Sequence, residues 1–312
     1  DNNDVILTIL LEMSDKLTSH ISEEGHKLAM LSACSHITYG DQLKEKYNGL
    51  SQVSFIKRLA ETKDTLDIVE KFQSIASLIL DSGNMKCAIN TAQDNTEAAT
   101  RDISNFIDLI PTSTQQQPFV KEFSPRSVKK FIKMPFDVNY IGQALPGVPY
   151  NHPDYPSLLI SAFLISLKYL HPIVREKGGA YGVGLIHQDQ TLRFFSYRDP
   201  NISSTIEAFE TSSEWIRSGK FTDDDLEEAK VKLLAKLDTP LSPSEHGQLM
   251  FITSITHDMM QKLRDRIFEY TREHVIATSD KYLVNDLSSI VIIGSNSNQA
   301  PGDEWEIEDL SI

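Results

Sequence analysis

The second half of the chain alternates short apolar runs with longer stretches whose apolar residues recur every three or four positions. Side chains repeat with a period of two in strands and about 3.6 in helices, so this pattern predicts strands separated by helices. The predicted strands are residues 131–136, 180–186, 192–197 and 290–293. The predicted helices are residues 158–170, 203–217, 226–237 and 258–282. Asp154 and Thr222 are suitable N-caps for two of these helices.

The first half repeats this order of elements more weakly. The helices predicted there are residues 5–17, 49–61 and 64–80, and the strands are residues 26–36 and 85–90. Two copies of the same order predict an α+β fold of two similar domains, each a mixed sheet covered by helices. The domains would be residues 1–110 and 130–312, joined by a linker at 111–129 whose Pro-, Ser- and Gln-rich start marks the boundary.

The first copy lacks the strand that precedes the first helix of the second copy. A sheet without that strand would expose an edge, which folded proteins usually avoid. We therefore expect that residue 1 is not a natural start and that the chain is a fragment or a processed piece. It also begins without the patterns of a signal peptide or transit peptide, so no targeting segment is expected in it.

Composition and charge exclude some classes of partner. The 312 residues carry a formal net charge of −14, which argues against nucleic acid, because binding phosphates requires clustered Lys and Arg. An acidic surface attracts basic peptides, or it serves only to keep the protein in solution. No uninterrupted apolar run approaches the ~20 residues of a membrane helix, so no membrane partner is expected.

Neither cysteines nor histidines predict a metal site. Cys34 and Cys87 cannot form a four-thiolate site, and both are expected to be buried, inert thiols. None of the nine His lies three or four residues from another, so both His-x-x-Glu-His and its reverse are missing. His171, at the predicted end of a helix, is explained by the helix dipole. No Ser or Cys nucleophile motif replaces a metal.

Residues 175–184 combine groups that suit peptide chemistry. Arg175 is a permanent cation with several donors, and Tyr181 carries a neutral hydroxyl donor. Gly178 and Gly179 between them remove side chains, so that another backbone can approach. Such a segment can hold a peptide and stabilise an oxyanion. A tight turn that happens to carry a surface Arg explains the same spacing, and the residues alone leave both readings open.

Three other polar segments have structural explanations. Asp199-Pro200-Asn201 is typical of a turn between a strand and a helix, with Asn201 or Ser203 as the cap. The acidic residues 223–225 suit a helix N-terminus better than a cation site. The acidic segment 303–309 is expected to be a mobile tail with Trp305 docked.

Several of these blocks, in order, resemble one family. Residues 175–184, 196–201 and 218–222, with 134–140 and 148–150 upstream, are similar to the C-terminal half of the presequence protease family. These are peptide-degrading zinc metallopeptidases of the pitrilysin and insulinase superfamily. The resemblance implies the C-terminal half of a clamshell enzyme whose zinc is bound by the N-terminal half.

The resemblance also implies roles for individual residues. Tyr181 would donate to the oxyanion and Arg175 would bind a substrate carbonyl, as the catalytic pair of this half. The residues lining the substrate would be Gly178, Gly179, Tyr197 and Arg198.

The partners implied are the N-terminal half and unstructured peptides such as cleaved targeting presequences, in the mitochondrial matrix or another organelle. This chain alone would hold no zinc and would be inactive. The alternatives are a non-catalytic subunit of the same superfamily and a peptide-binding scaffold.

Overall fold

The computed structural model describes residues 2–62, 65–112, 122–284, 286–300, 302 and 304–310. The predicted linker at 111–129 lies partly outside this range, because residues 113–121 are not described. The division into domains 1–110 and 130–312 therefore stays a prediction. The structure does, however, show which residues share a core.

Within the described residues, six strands form one mixed sheet in the order β3-β4-β2-β5-β1-β6. The strands are β1 (Val128–Lys133), β2 (Asn139–Pro146), β3 (Gly182–Gln188), β4 (Thr191–Asp199), β5 (Ser289–Gly294) and β6 (Glu306–Asp309). Strand β1 pairs in parallel with β5 and β6, and the remaining pairs are antiparallel. The α+β class with a mixed sheet is thereby confirmed, as are the four strands predicted for the second half.

Helices make up the ordered part of the chain before the sheet. They are α1 (Asn2–Cys34), α2 (Tyr39–Asn48), α3 (Leu50–Thr62), α4 (Thr65–Ile79) and α5 (Thr96–Asp108). The strands predicted at 26–36 and 85–90 are wrong, since the first lies mainly in α1 and the second is an exposed extended segment without a ladder. The first half of the described chain thus has no sheet of its own.

Helix α1 instead packs on the sheet formed by the second half. Its buried residues Ala29, Ala33 and Cys34 share a core with Ala144 and Val291. A Cβ at Gly142 of β2 would lie 2.4 Å from the backbone of α1, so this close approach requires glycine. The continuous apolar run that resembled a strand is therefore the buried side of a helix.

The opposite face of the sheet is covered by helices of the second half. They are α6 (Tyr155–Leu164), which continues as the π-helix Ile165–Lys177, α7 (Ile202–Arg217), α8 (Asp223–Leu237), α9 (Gln248–Thr253), α10 (His257–Glu269) and α11 (Arg272–Tyr282). The helix predicted at 258–282 is broken at Tyr270, where Thr271 starts a new capping box. Asp223–Asp225 form the first turn of α8 under a Thr222 cap, as predicted.

The helix Tyr155–Lys177 is long and apolar enough to cross a membrane, judged by length and composition. Half of its most apolar window is buried inside the fold. Leu158, Leu164 and Leu170 are completely buried in the core against the sheet. Burial in this core accounts for the apolar composition of the helix.

Three further expectations have clear outcomes. Residues 306–309 are not a mobile tail but the edge strand β6, because they pair in parallel with β1. Trp305 packs against the core as predicted, and residue 303 lies outside the described range. Cys34 is buried, and burial raises the pKa of its thiol to about 12, so it is inert as expected. Cys87 is exposed, contrary to the prediction.

Candidate substrate-contact site

The site starts where α6 and its π-helical continuation end. Arg175 lies in the last turn of the π-helix and not in the glycine turn, as the sequence suggested, and its side chain is exposed. The N–H of Gly178 closes this turn by donating to the carbonyl of Ile173 at 3.0 Å. The guanidinium forms no hydrogen bond or ion pair with any described residue. Its donors are therefore available to a ligand.

The two glycines of the turn meet different requirements. A Cβ at Gly178 would lie 2.6 Å from the carbonyl oxygen of Val174, so there is no space for a side chain. Gly179 has φ +83, a left-handed conformation that other residues adopt at a cost. The space around Gly179 is open, since its Cβ would meet only Pro200, at 3.6 Å. Both glycines shape the turn, and their contact with a substrate stays a prediction.

A second turn holds the first one in place. Asn201 occupies the N-cap position of α7 but makes no capping bond with its side chain, contrary to expectation. Its Nδ2 donates instead to the carbonyl of Gly178 at 2.7 Å. Asp199 accepts from the N–H of Asn201 at 2.8 Å and from the Thr205 hydroxyl at 2.7 Å. Burial raises the pKa of Asp199, and these hydrogen bonds oppose the shift.

Tyr181 joins this turn to β3, which lies at the edge of the sheet. Its backbone N–H donates to the carbonyl of Tyr197 on β4 at 3.0 Å. Its ring meets the Tyr197 ring edge-on, with centroids 5.5 Å apart and an interplanar angle of 83°. The side chain is 69% exposed, and its hydroxyl has no hydrogen-bond partner among the described residues. The backbone is fixed while the hydroxyl remains free to donate.

Arg198 follows Tyr197 in a left-handed conformation, with φ +50. Its guanidinium lies over the Tyr197 ring, 5.3 Å from the centroid. It also lies near the Tyr140 hydroxyl, where it opposes the rise that burial causes in the pKa of Tyr140. The structure thus brings Arg175, Tyr181, Tyr197 and Arg198 to the same end of the β3–β4 pair.

Sequence reasoning missed two parts of these surroundings. Gly182 and Gly184 leave β3 bare beside Tyr197 and Phe195, since a Cβ at either glycine would meet these side chains first. Alternating glycines on an edge strand were a readable signal for a close approach of backbone. His26 of α1 also reaches the site, and the misassigned strand at 26–36 hid that contact.

No metal centre accompanies these residues. Among the residues that the structure describes, no group of three or more His, Cys, Asp or Glu side chains is placed to hold an ion. His171 lies on the π-helix four residues before Arg175 and belongs to no such group. What this end of the sheet offers is a cation, a phenol and an exposed strand edge.

Comparisons with known proteins match both parts of the chain. The family model described as the PreP C-terminal domain matches residues 129–296, which is more than half of the chain. A second model, which describes a region associated with peptidases of subfamily C of family M16, matches residues 1–59. We call residues 1–59 the peptidase-associated region. The boundary between the two matches falls between α3 and β1, so α1 belongs to a different family region from the strands on which it packs.

Curated relatives match over nearly the whole chain. The mitochondrial presequence protease of Xenopus laevis is 34% identical and covers 96% of this chain but 33% of that protein. The corresponding protein of Schizosaccharomyces pombe is 31% identical, over 98% of this chain and 32% of that protein. The chain therefore spans about a third of the length of these relatives.

Solved structures show the same fold. A crystal structure of pitrilysin aligns with a TM-score of 0.65 at 11% identity, over 99% of this chain and 34% of that chain. A peptidase M16 inactive domain from Pseudomonas fluorescens aligns with a TM-score of 0.52 at 20% identity, over 67% of this chain and 53% of that one. At these identities the likeness is one of fold.

Proposed function

The chain belongs to the presequence protease family, and from that premise we propose that it is the C-terminal half of a zinc metalloendopeptidase. Its substrates would be short unstructured peptides, such as cleaved targeting presequences. The observation that carries the proposal is the exposed, unpaired pair Arg175 and Tyr181, held at the edge of a sheet by the glycine turn. The curated relatives are mitochondrial proteins, and the mitochondrial matrix is the compartment that we propose.

Each of the two residues has a role that its chemistry supports. The Tyr181 hydroxyl would donate a hydrogen bond to the oxyanion that forms when a peptide carbonyl is attacked. The Arg175 guanidinium would bind a second carbonyl of the same peptide and hold the peptide along β3. An extended peptide can add to the free edge of β3, because edge strands offer unpaired backbone groups. The free edge and the bare Gly182 support this position.

The zinc of the proposed enzyme would be held outside this chain. The described residues provide no ligand group for it, so Tyr181 and Arg175 act on a substrate whose attacking water is activated by the N-terminal half. Both side chains would be useful only when the two halves close on the peptide. Opening and closing would then limit access to the site.

Replacing Tyr181 with Phe in a complete enzyme that contains this chain tests the proposal. The substitution removes one hydroxyl, so we expect kcat to fall about a hundred- to a thousandfold, as for other single oxyanion donors. KM should change little, because the oxyanion exists only in the transition state. Steady-state hydrolysis of a fluorogenic peptide measures both constants.

Tyr47 of α2 provides a matched control. Its side chain is 67% exposed, close to the exposure of Tyr181, and it lies outside the site. Tyr47→Phe should leave both kinetic constants unchanged. Normal turnover in Tyr181→Phe would contradict the proposed role.

A further inference from the structure

Helix α1 is kinked where it meets the site. Glu24 departs from helical geometry, with φ −119 and ψ 18. The next residue, Gly25, lies on the ring of Tyr140, and a Cβ there would be 2.6 Å from that ring. The Tyr140 hydroxyl donates to the carbonyl of Ser22 at 2.6 Å, just before the kink in α1. The kink is thus fixed on both sides by one buried tyrosine of β2.

His26 follows directly and enters the aromatic cluster beside the site. Its ring centroid lies 4.7 Å from that of Tyr197 and 5.5 Å from that of Phe195. Its Nδ1 is buried and has no hydrogen-bond partner among the described residues. Burial lowers the pKa of the imidazole, which is therefore neutral at pH 7. The ring packs here as an aromatic surface.

Tyr197 connects this cluster to the exposed catalytic side chain. Its ring contacts Tyr140 at 5.8 Å on the inner side and Tyr181 at 5.5 Å on the outer side. Because Tyr181 is mostly exposed, the Tyr197 ring is the aromatic surface against which its ring is oriented. A shift of Tyr197 would therefore change the direction of the Tyr181 hydroxyl. His26 packs against Tyr197 and limits that shift.

We propose that His26 is a positioning residue: it holds Tyr197 in place, and Tyr197 sets the orientation of Tyr181. The inference rests on the function proposed for Tyr181 and adds a residue from the peptidase-associated region to the site. A movement of α1 at its kink would then be transmitted to the oxyanion donor through two packed rings. Misplacing a catalytic group by about 1 Å can cost up to ~10²-fold in rate.

The test uses variants of a complete enzyme that contains this chain. His26→Ala should lower kcat about tenfold with KM within about twofold, because the ring support is lost but not the peptide contacts. His26→Leu, which fills the space without an aromatic ring, should show a similar loss and serves if the Ala variant does not fold. His26→Phe should restore kcat to near the wild-type value. In the Tyr181→Phe background, His26→Ala should have no further effect on kcat.

His36 provides the control, since it is another half-buried imidazole, just beyond the end of α1 and away from the site. His36→Ala should leave kcat unchanged. If Tyr181→Phe lowers kcat but His26→Ala and His26→Leu do not, the positioning role is wrong and the proposed function stands. If His26→Phe is as slow as His26→Ala, ring packing is also the wrong explanation. If Tyr181→Phe itself turns over normally, the proposed function fails first.

Discussion

The two ends of the β3–β4 hairpin use arginine in opposite ways. At the open end, Arg175 is exposed and unpaired among the described residues, beside the free hydroxyl of Tyr181. At the turn end, the side chain of Arg193 is only 10% exposed and is surrounded by carboxylates. Nothing in the residue type separates the two arginines. Only their partners in the fold distinguish a binding group from a structural one.

The turn end is held by ion pairs between segments far apart in the chain. Arg193 Nη2 donates to both carboxylate oxygens of Asp41 at 3.1 and 3.2 Å and to Asp189 Oδ2 at 3.3 Å. Lys44 also donates to Asp189 at 2.6 Å. Asp189 and Gln190 both have positive φ, as a two-residue hairpin turn requires. This cluster ties α2 to the hairpin and commits Arg193 to structural partners.

Removing the partner of Arg193 should have the largest effect on stability. Asp41→Ala leaves a buried guanidinium with one exposed carboxylate, and loss of one member of a buried pair costs about 3–5 kcal/mol. Urea denaturation of the purified chain measures this free energy of unfolding. Asp189→Ala is the control, because its side chain is 42% exposed and its loss should cost under about 1 kcal/mol. Equal losses in the two variants would show that the buried pair is not the main connection.

A pH titration examines the same end through His187. This imidazole is buried and accepts from the N–H of Val148, and burial lowers its pKa to about 4. Between pH 6.5 and 4 the unfolded chain takes up a proton that the folded chain does not, so stability falls as the pH falls. The loss should approach about 3 kcal/mol. It is absent above pH 6.5.

Urea midpoints of the wild type and of His187→Gln across this range isolate the contribution. The difference between the two curves should shrink as the pH falls. His20→Gln, at an exposed position, should run parallel to the wild type. A pH-independent difference for His187→Gln would mean that the imidazole also takes up a proton in the folded state.

The strands of the second half were predictable because their side chains follow the burial of a sheet. Residues 192–197 alternate between the two faces, and residues 290–293 are apolar because both faces are covered. Arg175 and Tyr181 were found by chemistry and resemblance together. What the pattern could not provide was the partner of α1: a helix buried on a sheet has the same apolar run as a buried strand.

The contacts that organise the site were equally beyond the sequence. Asn201 has the composition of a helix cap, yet its side chain bonds to Gly178 because the two turns meet in space. His26 and Tyr197 lie in opposite halves of the chain, and only the packing of α1 brings the two rings together. The sequence indicates which residues carry chemistry. Long-range packing decides which of them meet.

A smaller effect is expected at the turn of the open end. Gly179→Ala must adopt φ +83 with an L side chain, which costs about 1 kcal/mol although the space is free. Urea denaturation of the chain measures the cost. Gly40→Ala is the control, because its Cβ meets nothing within 4 Å in α2 and the change should be neutral or slightly stabilising. A stabilised Gly179→Ala would mean that the turn is not held in the left-handed conformation.

The comparison of the two ends is tested most directly by Arg175→Ala and Arg193→Ala, each measured for peptide hydrolysis in a complete enzyme and for unfolding in urea. We expect Arg175→Ala to lower turnover and raise KM, while its free energy of unfolding changes by less than about 0.5 kcal/mol. Arg193→Ala should lose about 3 kcal/mol of stability by leaving Asp41 buried and unpaired, with normal turnover of the folded fraction. If Arg175→Ala loses stability and activity together, Arg175 braces the glycine turn, and the account of a functional and a structural end is wrong.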